Sequence, residues 1–267
     1  MENLHIWSLY SGSTGNAFLI RAGEVQFLID AGKSARSLIG ALAACGTSPD
    51  RLCAIFLTHE HVDHTKALPN LLKKYPLPVH LPRSCADRLA QEEPVAPLLR
   101  PHPPVHTETL GQGVTVTSFP TPHDSRGSVG YRIVIPTDGG IFRIGFATDI
   151  GFVSPAVEKG LTGCQAVILE SNHDPEMLEN GPYPYPLKER IASRRGHLSN
   201  PDCACFAAHL CRTGTRALML AHLSETNNTP ACAFDEVTMT LADETVRVCV
   251  AEPREIVEMD LGGCFSC

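Results

Sequence analysis

The chain contains no uninterrupted apolar run approaching the ~18 residues of a membrane-spanning helix, so no transmembrane segment is expected. Its opening residues, Met1-Glu2-Asn3-Leu4-His5, lack a basic stretch followed by an apolar one, the mark of a secretory leader; a cytoplasmic protein is expected. Positive charge is also short, with 22 Lys and Arg against 29 Asp and Glu and a net charge of −7. That argues against the broad basic face of a sequence-reading nucleic-acid binder. It leaves a polyanionic substrate to a local basic patch or to bound cations, as in a nuclease that holds only a few phosphates. The 11 cysteines are odd in number and scattered. Cys264-Phe265-Ser266-Cys267 has redox or zinc spacing but no second pair to complete it, and reduced thiols packed as small hydrophobes are expected throughout. The remaining composition, 43% hydrophobic and 19% charged, is that of an ordinary globular protein.

The most informative stretch is Thr58-His59-Glu60-His61-Val62-Asp63-His64. An apolar, partly β-branched run precedes it (Leu52-Cys53-Ala54-Ile55-Phe56-Leu57), and Ala67, Leu68, Leu71 and Leu72 follow at helical spacing. The pattern H-x-H-x-D-H therefore sits at a strand-to-helix turn, where α/β proteins place ligands. His59 and His61, two residues apart, can converge on one ion, and Asp63 and His64 can reach a second.

Strands are expected over 4–10 and 17–30, joined by the small-residue turn Ser11-Gly12-Ser13-Thr14-Gly15-Asn16. That turn is either a plain hairpin or a close backbone approach to a phosphate. Ser34 is placed to cap a helix bearing Leu38, Ile39, Leu42 and Ala43, and Asp30 reads either as support for the site or as a turn residue. A strand over 78–81 and a helix over 83–92 precede a proline-rich segment, 94–104, read as a loop that cannot be a helix interior or a central strand. Strands over 114–119, 128–135, 141–147, 166–169 and 217–220 follow, with helices over 187–195 and 200–212. Five apolar runs end near a His or Asp: His59, His123, Asp149, His173 and His222. Donors at strand ends converge on one rim of a sheet scaffold. His5, His80, His102, His106 and His209 have no such setting and read as structural or exposed. Because late segments supply donors that the early motif needs, residues 1–267 are expected to form one domain.

Mixed imidazole and carboxylate donors without a neighbouring Cys suit Zn, Mn or Fe, and they are too many for one tetrahedral structural ion. The assignment is His59, His61 and His123 on a first ion, Asp63, His64 and His222 on a second, and Asp149 bridging. Such a pair holds a hydroxide and clamps the attacking and leaving oxygens of a displacement, with Asp63 orienting that hydroxide or accepting its proton. Arg190, Arg194 and Arg195, with Lys188, form the densest basic cluster. It is either a nucleic-acid contact or a solvated helix face.

This donor set resembles that of the metallo-β-lactamase fold superfamily, and the resemblance spans essentially the whole chain. It implies an α/β protein, an αββα sandwich with a dinuclear metal site at one edge. More narrowly, the Ser11–Asn16 turn, His123 ahead of Val129-Gly130-Tyr131-Arg132-Ile133, Glu170-Ser171-Asn172-His173-Asp174, and the segment from Asn180-Gly181-Pro182-Tyr183 to Arg195-Gly196-His197-Leu198-Ser199-Asn200 resemble the YycJ/WalJ family. Its members are described as exonucleases acting 5′ to 3′ on duplex DNA ends. The site is also similar to those of tRNA 3′-processing endonucleases and of PhnP-type cyclic phosphodiesterases. In those families a His matching His197 lies outside the metal shell and serves the scissile phosphate or leaving group. The resemblance thus implies two divalent ions, a nucleic-acid substrate and a catalytic His197. It also makes Ser11, Ser13, Asn16, Asn172 and His173, with Arg194 and Arg195, candidate substrate contacts. Hydrolysis of a small cyclic or nucleotide phosphodiester is the alternative, and a non-catalytic DNA-binding module a more distant one.

Overall fold

The computed structural model describes residues 4–261; Cys264 and Cys267 lie outside them. In chain order the strands are β1 (Leu4–Tyr10), β2 (Ala17–Ala22), β3 (Val25–Ile29), β4 (Ala54–Phe56), β5 (Val79–Pro82), β6 (Leu99–His102), β7 (Thr107–Thr109), β8 (Thr115–Thr121), β9 (Ser128–Thr137), β10 (Gly140–Ala147), β11 (Ala166–Glu170), β12 (Ala217–Ala221), β13 (Arg247–Val250) and β14 (Val257–Glu258). Among the described residues they form two seven-stranded sheets, ordered β14-β1-β2-β3-β4-β5-β6 and β13-β12-β11-β10-β9-β8-β7. Each sheet is antiparallel at its start and parallel at its end: β3 to β6 run parallel in the first, β10 to β13 in the second. Parallel strands covered on both faces read as continuous apolar runs. Ala166–Glu170 and Ala217–Ala221 are accordingly buried along their whole length.

Four layers follow from where the apolar side chains go. Ile6, Phe18, Phe27 and Phe56 of the first sheet meet Val116, Tyr131, Ile144, Ile168 and Met219 of the second in a central core. Helices α1 (Ala35–Ala44), α2 (Val62–Thr65), α3 (Leu68–Leu72) and α4 (Arg83–Leu89) come from the first half, and Leu38, Leu42, Leu68, Leu71 and Leu89 pack on the outer face of the first sheet. Helices α5 (Pro155–Leu161), α6 (Pro175–Asn180), α7 (Tyr185–Ile191), α8 (Asn200–Arg212) and α9 (Pro230–Leu241) come from the second half. Val157, Leu161, Ala204, Leu210, Ala233 and Val237 cover the outer face of the second sheet. Caps start the helices as their chemistry dictates: Ser34, Ser199 and Thr229 each accept a backbone N–H of the first turn. Helix α7 buries none of its residues and stands outside the layers as a wall. Among the described residues, no helix is long and apolar enough to cross a membrane.

Three local expectations are corrected. The stretch 17–30 is two strands rather than one, because Gly23 takes φ 60° and turns the chain. The helix expected over 187–195 runs from Tyr185 to Ile191. The proline-rich segment read as loop contains β6, paired parallel to β5; Pro101 is tolerated there because β6 is an edge strand that needs no N–H on its outer side.

The two sheets are tied together directly beneath the metal motif. Tyr131 Oη donates to the Leu57 carbonyl (2.5 Å) and Val129 N–H to the Thr58 carbonyl (3.0 Å). Just beyond β3 the chain threads tightly against the motif: Ala31 N–H donates to the His64 carbonyl and Asn16 N–H to the Asp63 carbonyl, both at 2.8 Å. Gly32 sits within this crossing, and a Cβ there would fall 1.5 Å from the Asp63 carbonyl oxygen and 2.6 Å from the Asn16 nitrogen. Both obstacles are backbone, so Gly32→Ala is expected to destabilise the protein by about 3 kcal/mol or more, at the upper end of overpacking costs. Urea unfolding checks this, and a midpoint within error of wild type would refute it.

Candidate metal centre

Each donor arrives from a strand end. Asp30 follows β3, the motif follows β4, His123 follows β8, Asp149 follows β10, Glu170 closes β11 and His222 follows β12. Among these, Asp30, Asp149 and His222 have φ of 62°, 56° and 58°, in the left-handed region that non-glycine residues seldom adopt outside functional sites. The left-handed turn brings Asp149 and His222 into the donor cluster and sets Asp30 behind it, against His64 Nδ1.

The imidazoles of His59, His61 and His123 form one triangle, with ring centroids 4.4 Å (His59–His61), 5.0 Å (His59–His123) and 5.3 Å (His61–His123) apart. His64 and His222 lie on the other side, 6.1 Å apart, with Asp63. Between them is Asp149. Its Oδ1 is 3.7 Å from His123 Nε2 and 3.5 Å from His222 Nε2, and its Oδ2 is 3.5 Å from His64 Nε2. The structure thus brings His59, His61, Asp63, His64, His123, Asp149 and His222 together, in sets whose donor atoms lie within 4.8 Å of one another. Divalent cations fit this place on the structure's own terms: His59 Nε2, His222 Nε2 and Asp149 Oδ2 are buried without any hydrogen-bond partner, which a folded protein tolerates only where something else pairs with them.

The imidazoles are aimed from behind. Asp30 is fully buried and its Oδ2 accepts from His64 Nδ1 at 2.8 Å, while Thr58 donates to the same carboxylate. His59 Nδ1 lies 3.0 Å from the Thr58 hydroxyl, His123 Nδ1 donates to the Gly196 carbonyl (3.2 Å), and His222 Nδ1 donates to Glu170 Oε1 (3.0 Å). Fixing one ring nitrogen presents the other to a cation. Glu60, inside the motif, faces away: its carboxylate accepts from Arg126 N–H and Cys85 Sγ–H and pins the 123–127 loop.

Electrostatics follow from this crowding. Burial pushes His59 well below the usual imidazole value, reinforced by the four neighbouring imidazoles, and burial lowers His123 as well. Burial also opposes charge on His64, but Asp30 and Asp149 outweigh it and hold its pKa well above the ordinary value. His222 is raised to about 9 against its burial by Asp149 and Glu170. Asp63 and Glu170 resist burial and stay well below the usual carboxylate range, held there by His64 and by His197 and His222 respectively.

Glu170 is the residue the sequence reading passed over. Its Oε1 accepts from His197 Nδ1 (2.7 Å) and His222 Nδ1 (3.0 Å), and its Oε2 from Ile150 N–H (2.7 Å) and Leu198 N–H (3.3 Å). His173, a candidate substrate contact at that strand end, does not line the cleft beside the centre; its imidazole lines a separate cavity with Pro175, Leu178 and Tyr185. The available signal was position, since Glu170 is the first polar residue after Ala166-Val167-Ile168-Leu169. His197 stands at the rim, 20% exposed, stacked on His222 at 5.1 Å. It precedes the α8 cap, Ser199, by two residues rather than standing in the helix.

A cleft of about 180 Å³ opens beside the centre, lined by Ser13, Asp124, Asn172, Arg190, His197 and Ser224 among others. Leu187 and Ile191 of α7 form its apolar wall. Ser13 and Asn172 reach it, but Ser11 and Asn16 stand behind it. Ser11 Oγ accepts from His222 N–H, and the Asn16 amide bonds Gly12 on both sides and donates to Asp63 Oδ2. Arg194 stacks on Phe152 (3.7 Å) and Arg195 is exposed outside the cleft; Arg190 is the arginine that lines it.

Residues 26–223 match the β-lactamase superfamily domain. The chain is 32% identical over 261 residues to exodeoxyribonuclease YycJ of Bacillus anthracis, covering 96% of each, and 30% identical over 244 residues to exodeoxyribonuclease WalJ of Streptococcus pneumoniae serotype 2, covering 90% of this chain and 89% of the relative. Among solved structures, the metallo-β-lactamase fold protein YhfI from Bacillus subtilis superposes with a TM-score of 0.73 at 17% identity, over 96% of this chain and 99% of that one.

Proposed function

We propose, from the premise that this chain belongs to the metallo-β-lactamase superfamily and within it to the YycJ/WalJ exodeoxyribonuclease family, that it is a metal-dependent nuclease digesting duplex DNA from its 5′ ends. It acts as a single hydrolase domain in the cytoplasm, a compartment in keeping with nine described cysteines that are all free. Two divalent ions, Zn, Mn or Fe, would be held by His59, His61 and His123 and by Asp63, His64 and His222, with Asp149 between the two sets. Ions so held supply Lewis acidity toward the phosphate and lower the pKa of water at the site.

The observation that carries the phosphodiester reading is His197. It lies beside the donor cluster, 5.1–5.2 Å by ring centroid from His222 and His123, faces the cleft, and has its Nδ1 tied to ionised Glu170. Glu170 holds Nδ1 and so orients the ring, leaving Nε2 on the side of the cleft to donate a proton to a departing alkoxide. Asp63, 28% exposed and steadied by Asn16, accepts the proton of the attacking water. Ser13, Ser224, Asn172 and Arg190 are placed to contact the phosphate and sugar.

Incubation with Mn or Zn of 5′-phosphorylated linear duplex, closed circular duplex, single-stranded DNA, RNA and bis(p-nitrophenyl) phosphate tests this. Shortening of linear duplex from its 5′ ends is expected, with the closed circle intact and all activity lost in EDTA. The small cleft and net charge of −7 favour a second reading, a small cyclic or nucleotide phosphodiester as substrate. Turnover of the small ester with every polymer untouched would establish that reading instead.

A further inference from the structure

Helix α7 turns Leu187, Arg190 and Ile191 to the catalytic cleft, and Tyr185, Glu189 and Ala192 to a second cavity of about 340 Å³. Residues outside the helix divide the same way: Tyr183 and Asn172 line the cleft, whereas Tyr185 and His173 line the second cavity. One helix, about 10–12 Å across with its side chains, thus separates the two. His173 is the buried polar group of the second cavity, 4% exposed. Its backbone is fixed by a bridge to Ser199 and by the Asn200 N–H, which donates to its carbonyl at 2.9 Å. Its Nδ1 is buried without a hydrogen-bond partner, a condition that folded proteins seldom leave unless something else pairs with the atom. Burial lowers the pKa of the ring, so near neutral pH it is uncharged and offers one donor and one acceptor. Tyr185, 72% exposed, adds an aromatic face, and Pro184 and Pro186 on either side stiffen the chain that carries it. Pro175 and Leu178 supply apolar walls.

Resting on the nuclease reading above, we propose that this cavity is a nucleobase subsite, holding an unpaired base of the DNA end whose scissile phosphate lies in the cleft. Base recognition by a single strand combines stacking on an aromatic ring with hydrogen bonds to the base edge, and Tyr185 and His173 supply one of each. Charge separates a base from a phosphate here. Glu179 and Glu189 both line the cavity, and the Nζ of its lysine, Lys188, donates to the Glu179 carbonyl at 2.6 Å. Two carboxylates repel a phosphate, whereas an uncharged base with N–H donors meets them without repulsion. A base drawn to the far side of α7 is withdrawn from its complement, which frees the strand end for attack in the cleft.

Steady-state kinetics on 5′-phosphorylated duplexes, intact or carrying one abasic residue at the first, second or third nucleotide from the 5′ end, test the subsite. Tyr185 is exposed, so its replacement leaves the fold intact, and circular dichroism verifies this. Tyr185→Ala is expected to raise KM for intact duplex about 5- to 150-fold, the range for loss of one base–aromatic stack, and Tyr185→Phe to restore it. In the wild type, an abasic residue at one of the three positions raises KM by a similar factor. The two losses are not additive: the same abasic duplex is no worse than the intact one for Tyr185→Ala, as expected for partners in one contact. If the wild type digests duplex DNA but Tyr185→Ala keeps its KM, or pays the full abasic penalty on top of its own, the cavity holds no base and the inference fails. If the wild type leaves every duplex intact while turning over bis(p-nitrophenyl) phosphate, the nuclease reading fails and the subsite falls with it.

Discussion

Glu170→Gln is expected to lower stability by about 3–5 kcal/mol, the cost of breaking a buried charged pair by removing one partner, and to slow turnover more than loss of His197 alone. The reason is a count of lone pairs. An ionised carboxylate accepts at four positions, and Glu170 uses all four, from two imidazoles and two backbone N–H groups. The amide oxygen of Gln accepts at two positions, and its NH₂ would face donors. Two of the four groups then lose their partner in a fully buried place. At roughly 2–4 °C per kcal/mol for a chain of this size, the melting temperature falls by about 6–20 °C. His222 also loses the group that aims it, so metal affinity falls about 10–100-fold. Thermal denaturation and metal titration read the two consequences separately. A variant that melts with the wild type and binds both ions normally would show that Glu170 does not organise the site.

His197→Ala is expected to reduce turnover of DNA by about 10²–10⁴-fold, the usual share of general acid catalysis, while both ions remain bound, because no donor of either set is removed. Leaving-group dependence identifies the role. The alkoxide expelled from DNA is strongly basic and must be protonated as it departs, whereas p-nitrophenolate leaves without a proton. The variant should therefore lose far less on bis(p-nitrophenyl) phosphate than on DNA. Equal losses on both substrates would mean that His197 binds phosphate rather than delivering a proton, and loss of an ion would mean that it is a ligand. Since Glu170 and His197 share a hydrogen bond, the double variant should be little slower than Glu170→Gln, as expected for coupled residues.

The resemblance to the YycJ/WalJ family was legible in the sequence because its carriers are local: a motif within six residues, a small-residue turn, and the segment from Glu170 to Asn200. Strand identity was legible for the same reason, since apolar runs such as Ala217-Leu218-Met219-Leu220 report burial directly. The edge strand Leu99–His102 was hidden because prolines mask a strand whose outer side needs no donor. Spacing singles out His173 at the end of its run and passes Glu170 by, because the bare rule that a His ends the run carries no direction. The chain turns between them, and only one of the two side chains faces the centre.

By itself, the sequence determined the fold class and a pool of metal donors, because hydrophobic periodicity and donor spacing are properties of short segments. The tertiary structure decided which donors meet and which atom each one offers. Left-handed turns at Asp30, Asp149 and His222 set directions that no spacing encodes. Hydrogen bonds that His64, His222 and His123 donate to Asp30, Glu170 and the Gly196 carbonyl, each pair more than 30 residues apart, select the free nitrogen. Such bonds form only when the two sheets close on each other.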